Sequence, residues 1–138
     1  MDSTFLAPWS PRLLSVLRIM SGLLFMQHGT SKFFGFPYLE MLANTPVFSL
    51  FGIAGLLELI GGALLAVGLF TRPVAFILSG MMAVAYFMAH AGQDFFPLVN
   101  QGELAILYCF VFLYLAAAGP GPWSVDATMR RAPERPAY

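Results

Sequence analysis

Hydrophobic positions along the chain fall into four long runs separated by short breaks rich in glycine, proline or polar residues. The first run predicts a helix over residues 11–34, opened by Ser10-Pro11 as N-cap and first helical residue and closed by Gly35-Phe36-Pro37. The second predicts a helix over 47–70, interrupted only by Glu58 and carrying five glycines that admit a neighbouring backbone. Thr71-Arg72-Pro73 is a tight break, and a third helix follows over 74–91. The fourth covers 103–118 and stops at Gly119-Pro120-Gly121-Pro122, leaving a polar tail, 119–138, whose end is expected to be poorly ordered. Between the first two runs, Leu39, Leu42 and Ala43 sit at i, i+3 and i+4 and suit a short interfacial helix.

Runs of this length match the roughly 20 residues that span a ~30 Å hydrocarbon core. Composition agrees: 59% of residues are hydrophobic, 10% are charged, and the mean hydropathy is +0.76. Soluble proteins carry about 25% charged residues. The expectation is therefore an all-α membrane protein in one domain, 1–138, built as an antiparallel four-transmembrane-helix bundle. Arginines set its orientation. Arg12, Arg72, Arg130, Arg131 and Arg135 lie at the N-terminus, the second turn and the tail, while the first and third loops hold no Lys or Arg. Both termini are thus expected in the cytoplasm, with the protein multi-pass.

Charge and cysteine content remove several classes. The formal net charge is zero, with no aromatic-basic interleaving, so no nucleic-acid partner is expected. Cys109 is the single cysteine, which excludes an internal disulfide, a C-x-x-C redox pair and a thiolate metal cluster. It reads as a small buried hydrophobe. Asp2 stands where a cleavable signal peptide would need a basic region, so no such peptide is expected.

The informative residues are the few ionisable ones inside the apolar runs. Arg18, His28 and Lys32 share one stripe of the first helix, within about 80° of Arg18 at about 100° per residue. A charge at the bilayer centre costs roughly 2.5–3.5 kcal/mol on insertion scales, so such groups face inward and find partners. Glu58 faces inward with Gly55 and Gly62. From the assumed helix ends, Arg18 lies about 10 Å and Glu58 about 18 Å from the cytoplasmic side, and an extended arginine covers most of that gap. An Arg18–Glu58 ion pair is expected on that basis. His28, Lys32, His90 and Glu103, with Asp94 or Asn100 nearby, are expected to converge near the outer mouth as ligand-binding or proton-relay groups. No catalytic residue is assigned. A b-type haem on His28 and His90, or a metal on those two and Glu103, competes with this reading, but two histidines in a helical bundle favour neither, and no metal site is expected. The plainer alternative is that the polar pairs only lock helix packing, with Lys32 snorkelling to headgroups and Glu103 complementing a helix dipole.

Ordered blocks along the chain carry a family resemblance. They are Arg18, Gly22, Phe25, Gly29 and Lys32 in the first helix, then Glu58-Leu59-Ile60-Gly61-Gly62 with Leu65, Gly68 and Thr71-Arg72. Asn100-Gln101-Gly102-Glu103-Leu104-Ala105 with Tyr108 follows, and Gly119-Pro120-Gly121 with Ser124 and Asp126 closes the set. Over residues 12–127 the chain resembles the DoxX family of small four-helix bacterial membrane proteins, departing where Gln101 replaces the first of a frequent glycine pair. The resemblance implies a component of the bacterial inner membrane that belongs to an oxidoreductase system, as in quinone-linked thiosulfate oxidation or partnership with superoxide dismutase. It carries over no catalytic set. The expected function is an oxidoreductase-associated subunit or accessory binding a quinone-like or lipid-like molecule near the outer leaflet, with membrane lipids and a redox protein as partners. Competing readings are a structural or assembly protein and a small-molecule or lipid carrier.

Overall fold

A computed structural model describes residues 4–131, which places Arg135 and the end of the tail outside the described residues. The described residues hold six α-helices and no strand: α1 (Ser10–Phe34), α2 (Leu50–Val67), α3 (Thr71–Ala89), α4 (Pro97–Asn100), α5 (Glu103–Ala118) and α6 (Val125–Arg130). A 3-10 turn, Ala7–Trp9, runs directly into α1, so Trp9 rather than Ser10 occupies the N-cap. The interfacial helix expected near residue 40 is only a turn, bonded from Leu42 and Ala43 back to Leu39 and ending at Asn44 with φ 61°. Helices α2 and α3 are long and apolar enough to cross a membrane. α1 has 25 residues but a polar stripe, and α5 is apolar but only 16 residues long.

The long helices associate as two close pairs, α1 on α2 and α3 on α5, joined mainly where α2 meets α3. Small residues explain the first pair. A Cβ on Gly22 would lie 2.7 Å from the backbone nitrogen of Ala66, and one on Gly29 would lie 2.7 Å from the backbone oxygen of Gly55. A Cβ on Gly62 would meet Met26 Cα at 2.8 Å. These glycines bring the two backbones together and fix their register, since dispersion contacts between helices grow as axes approach. The second pair is tied by a hydrogen bond from Ser79 Oγ to the backbone oxygen of Cys109, 2.7 Å, beside the half-buried thiol.

Burial is inverted relative to a soluble core. Among the described residues eight apolar ones are buried, Phe25, Leu65, Leu78 and Phe112 among them, against ten polar or charged ones, including Arg18, Lys32, Glu58 and Asn100. Large hydrophobic side chains instead cover the outside of the long helices, as with Leu24, Phe51, Ile60, Phe76, Ile77 and Phe110. Such an exterior suits a solvent of fatty tails.

The end carrying the start of α1, the α2–α3 turn and α6 is clasped by polar bonds. Buried Arg18 donates from Nη2 to the backbone oxygen of Trp123, and Ser15 Oγ accepts from the Trp123 N–H at 3.1 Å. Arg72 donates to the carbonyls of Ala116 and Ala117 at the end of α5. Asp126 accepts from the N–H groups of Phe70 and Thr71, each at 2.9 Å, and so caps α3. Burial works against the Asp126 carboxylate, but those backbone donors, together with the Arg130 guanidinium, outweigh it and hold the carboxyl below its usual range.

A carboxyl depressed in the folded state contributes stability that is present at neutral pH and lost as pH falls through its folded value. Asp126→Ala is therefore expected to cost about 1 kcal/mol, as for a lost cap. It should also flatten the acid side of the melting-temperature profile in detergent, and an unchanged acid slope would show that Asp126 caps nothing of consequence.

Candidate functional site

The site grows out of the α1–α2 seam. Lys32, in the last turn of α1, donates from Nζ to both oxygens of Glu58 in mid-α2, at 3.0 Å to Oε1 and 2.8 Å to Oε2. Both residues are buried at 7% exposure. Gly55, one turn before Glu58, makes room for the lysine stem, because a Cβ there would sit 2.9 Å from Lys32 Cδ. This pair replaces the expected Arg18–Glu58 pair. The seam sets Gly29 against Gly55 and Leu59, and Gly22 against Gly62 and Ala66. Arg18 consequently lies beside Gly68, ten residues or about 15 Å along α2 from Glu58, beyond the reach of its side chain.

Behind the ion pair, the four long helices line a partly open cavity of about 250 Å³. His28 and Phe25 face it from α1, Glu58 from α2, and Met82 and Ala85 from α3, with His90 just past the end of α3. Leu104, Ala105 and Tyr108 complete the wall from α5, with Gln101 just before it. The aromatic side is layered: Phe25 meets Tyr108 edge-on at 5.2 Å between ring centroids, Tyr108 stacks on Phe112 at 5.3 Å, and His28 meets Tyr108 edge-on at 6.4 Å. His90 stacks on Tyr86 at 6.4 Å, and its Nδ1 lies 2.8 Å from the backbone oxygen of Asn100.

Asn100 is the fixed point of the loop between α3 and α5. It is 1% exposed, its amide donates to the Tyr86 hydroxyl and the Asp94 carbonyl, and its Oδ1 accepts from the Gly102 N–H. A Cβ on Gly102 would meet the Tyr86 ring at 2.5 Å, so the loop closes tightly over that ring.

Of the expected cluster, the structure brings His28 and His90 to one cavity. Lys32 reaches that cavity only through Glu58. Glu103 stands exposed in the first turn of α5, away from the cavity wall, and Asp94 is exposed in the loop. Among the described residues no three His, Cys, Asp or Glu side chains are grouped to hold a metal ion. Glu58 as a wall residue, Tyr108, Gln101 and the ordering role of Asn100 were missed. Gln101, Leu104, Ala105 and Tyr108 follow one helical stripe at three- and four-residue spacing, and that spacing was the available signal.

Residues 13–91 match the DoxX family. The chain belongs to that family. An uncharacterised protein of Haemophilus influenzae is 44% identical over 125 residues, covering 88% of this chain and 93% of its own length. No solved structure matches the chain. The matched DoxX segment holds α1 from Leu13 onward, α2 and α3, and with them the Lys32–Glu58 pair and both histidines. This is a DoxX-family membrane protein whose ion pair and cavity share one wall.

Removing one partner of a buried ion pair costs about 3–5 kcal/mol, whereas replacing both by apolar groups is often neutral. Lys32→Met is thus expected to lower the melting temperature sharply, and Lys32→Met with Glu58→Leu to regain most of the loss. A double variant as unstable as Lys32→Met alone would mean the seam depends on charge itself and not on compensation.

Proposed function

We propose that this DoxX-family protein is a membrane-embedded, oxidoreductase-associated subunit whose central cavity holds a quinone-like ring. The observation that carries this reading is the combination of walls in one small cavity: stacked aromatics on one side, and the Glu58 carboxylate with two histidines on the others. A volume of about 250 Å³ suits a single substituted ring. It sits just under the ~300 Å³ at which sites for drug-sized molecules begin. An apolar tail would leave between the helices, whose outer faces are themselves apolar. With one cysteine in the chain, electrons come from a partner protein or from the ligand. Glu58, His28 and His90 serve as binding and proton-handling groups, and Lys32 serves as the counter-ion of Glu58.

In the same reading α1, α2, α3 and α5 all cross the cytoplasmic membrane of a bacterium, with both termini inside. Support comes from the apolar exterior of all four helices and from the gathering of Arg12, Arg72, Arg130 and Arg131 at one end. The opposite end carries Glu40, Asp94 and Glu103.

Mass spectrometry of the protein purified in mild detergent should find a quinone-class molecule retained by the unmutated chain and lost from His28→Ala. An empty cavity, or phospholipid alone, would overturn the reading in favour of a packing or lipid-handling role. Cysteine labelling from outside intact cells should modify a cysteine placed at Glu40 and spare one placed at Thr128. The reverse pattern would invert the proposed orientation.

A further inference from the structure

The polar character of the ligand follows from which atoms the cavity has left to offer. His90 Nδ1 lies 2.8 Å from the Asn100 carbonyl oxygen. A carbonyl only accepts, so Nδ1 carries the ring proton, and the neutral imidazole has Nε2 remaining as an acceptor. That tautomer is held by the loop, because Asn100 is itself fixed by bonds to Asp94, Tyr86 and Gly102. Glu58 presents a carboxylate, which also only accepts, and each oxygen keeps lone-pair capacity beyond its bond to Lys32. The Lys32 ammonium, the obvious donor, faces Glu58 and is not part of the cavity wall. His28, Tyr108 and Gln101 adapt, since each can donate or accept. The cavity therefore holds two fixed acceptors and no fixed donor.

We propose that the cavity selects a ligand that donates hydrogen bonds, and within the quinone class takes the reduced, dihydroxy ring in preference to the oxidised, dicarbonyl ring. This rests on the reading of the cavity as a ring site. A dihydroxy ring gives its two O–H groups to Glu58 and to His90 Nε2. A dicarbonyl ring sets oxygens against those same atoms, so lone pair faces lone pair and neither of the two hydrogen bonds forms. Sites built around such bonds discriminate strongly against analogues that lack the matching group.

The test uses the full chain in detergent under argon and three short-tailed probes sharing one ring: a dimethoxy-methyl hydroquinone, its quinone, and the ether in which both hydroxyls are methylated. Calorimetric titration is expected to show the hydroquinone binding about tenfold or more tighter than either other probe, as two retained hydrogen bonds imply. His90→Phe, confirmed as folded by its melting curve, is expected to narrow that ratio. Equal affinities, or tighter binding of the quinone, would overturn the preference while leaving the ring site in place. Failure of all three probes to bind would overturn the ring site, and the preference with it. The ratio in the unmutated protein decides the matter by itself, whether or not the variant folds.

Discussion

A lysine and a glutamate buried against each other between α1 and α2 set the terms for everything around them. Each alone would be intolerable in an apolar interior, and their mutual attraction offsets desolvation only when the geometry is close and both carboxylate oxygens are engaged. Lys32 meets that condition by bonding Oε1 and Oε2 together. The approach is possible because Gly55 leaves space for the lysine stem and because Gly22, Gly29 and Gly62 let the two backbones touch. The ion pair and the glycine seam thus specify the same register. A shift of one helical turn would set a methylene stem against a glycine's neighbour and strand both charges.

That register also decides what the other buried cation does. Arg18 is as inward as Lys32, fully buried, yet it sits near the opposite end of the seam beside Gly68. Its partners lie in the chain after α5: the Trp123 carbonyl takes one hydrogen bond, from Nη2, and the Asp126 carboxylate, which also caps α3, stands nearby. One end of the molecule is therefore closed by a buried guanidinium and a half-buried acid working through backbone groups. The other contains a neutral ion pair and a cavity. The two inward charges on α1 have separate duties because about 20 Å of helix lies between residues 18 and 32.

Much of this architecture was legible in the residues. The fourth apolar run marked α5 with its ends, and Gly35 and Gly119 stand at the ends of α1 and α5 where the breaks were read. The break between α2 and α3 was read too late: α2 stops at Val67 with Gly68 as its left-handed cap, and Thr71-Arg72-Pro73 is the first turn of α3, because proline is at home in a helix's first turn. The inward stripe of Arg18, His28 and Lys32 was legible too, since it needs only the helical period and the cost of exposing charge to lipid. The partner of Glu58 was not. Pairing depends on the axial register of two helices, and apolar periodicity is silent on register when nearly every position is apolar. Contacts at individual glycines fix it, and several glycines in α2 were available for that role. Glu103 was misjudged for a related reason: a carboxylate in the first turn of a helix is satisfied by the helix dipole and solvent, and proximity in sequence to a loop histidine does not turn it inward.

The same pairing shapes the chemistry of the cavity. Had Arg18 neutralised Glu58, Lys32 would have been free to point an ammonium into the cavity and attract carbonyl or anionic oxygens, as the residue pattern alone suggested. With Lys32 turned back onto Glu58, the positive charge is used inside the seam and the carboxylate is the face presented to the cavity. The carboxylate keeps its lone pairs, because one ammonium cannot exhaust two oxygens. His90, held by the Asn100 carbonyl, adds a second acceptor from the other pair of helices. A seam of glycines between α1 and α2 thus reaches beyond packing, since it determines the sign of the hydrogen-bonding surface that a bound molecule would meet.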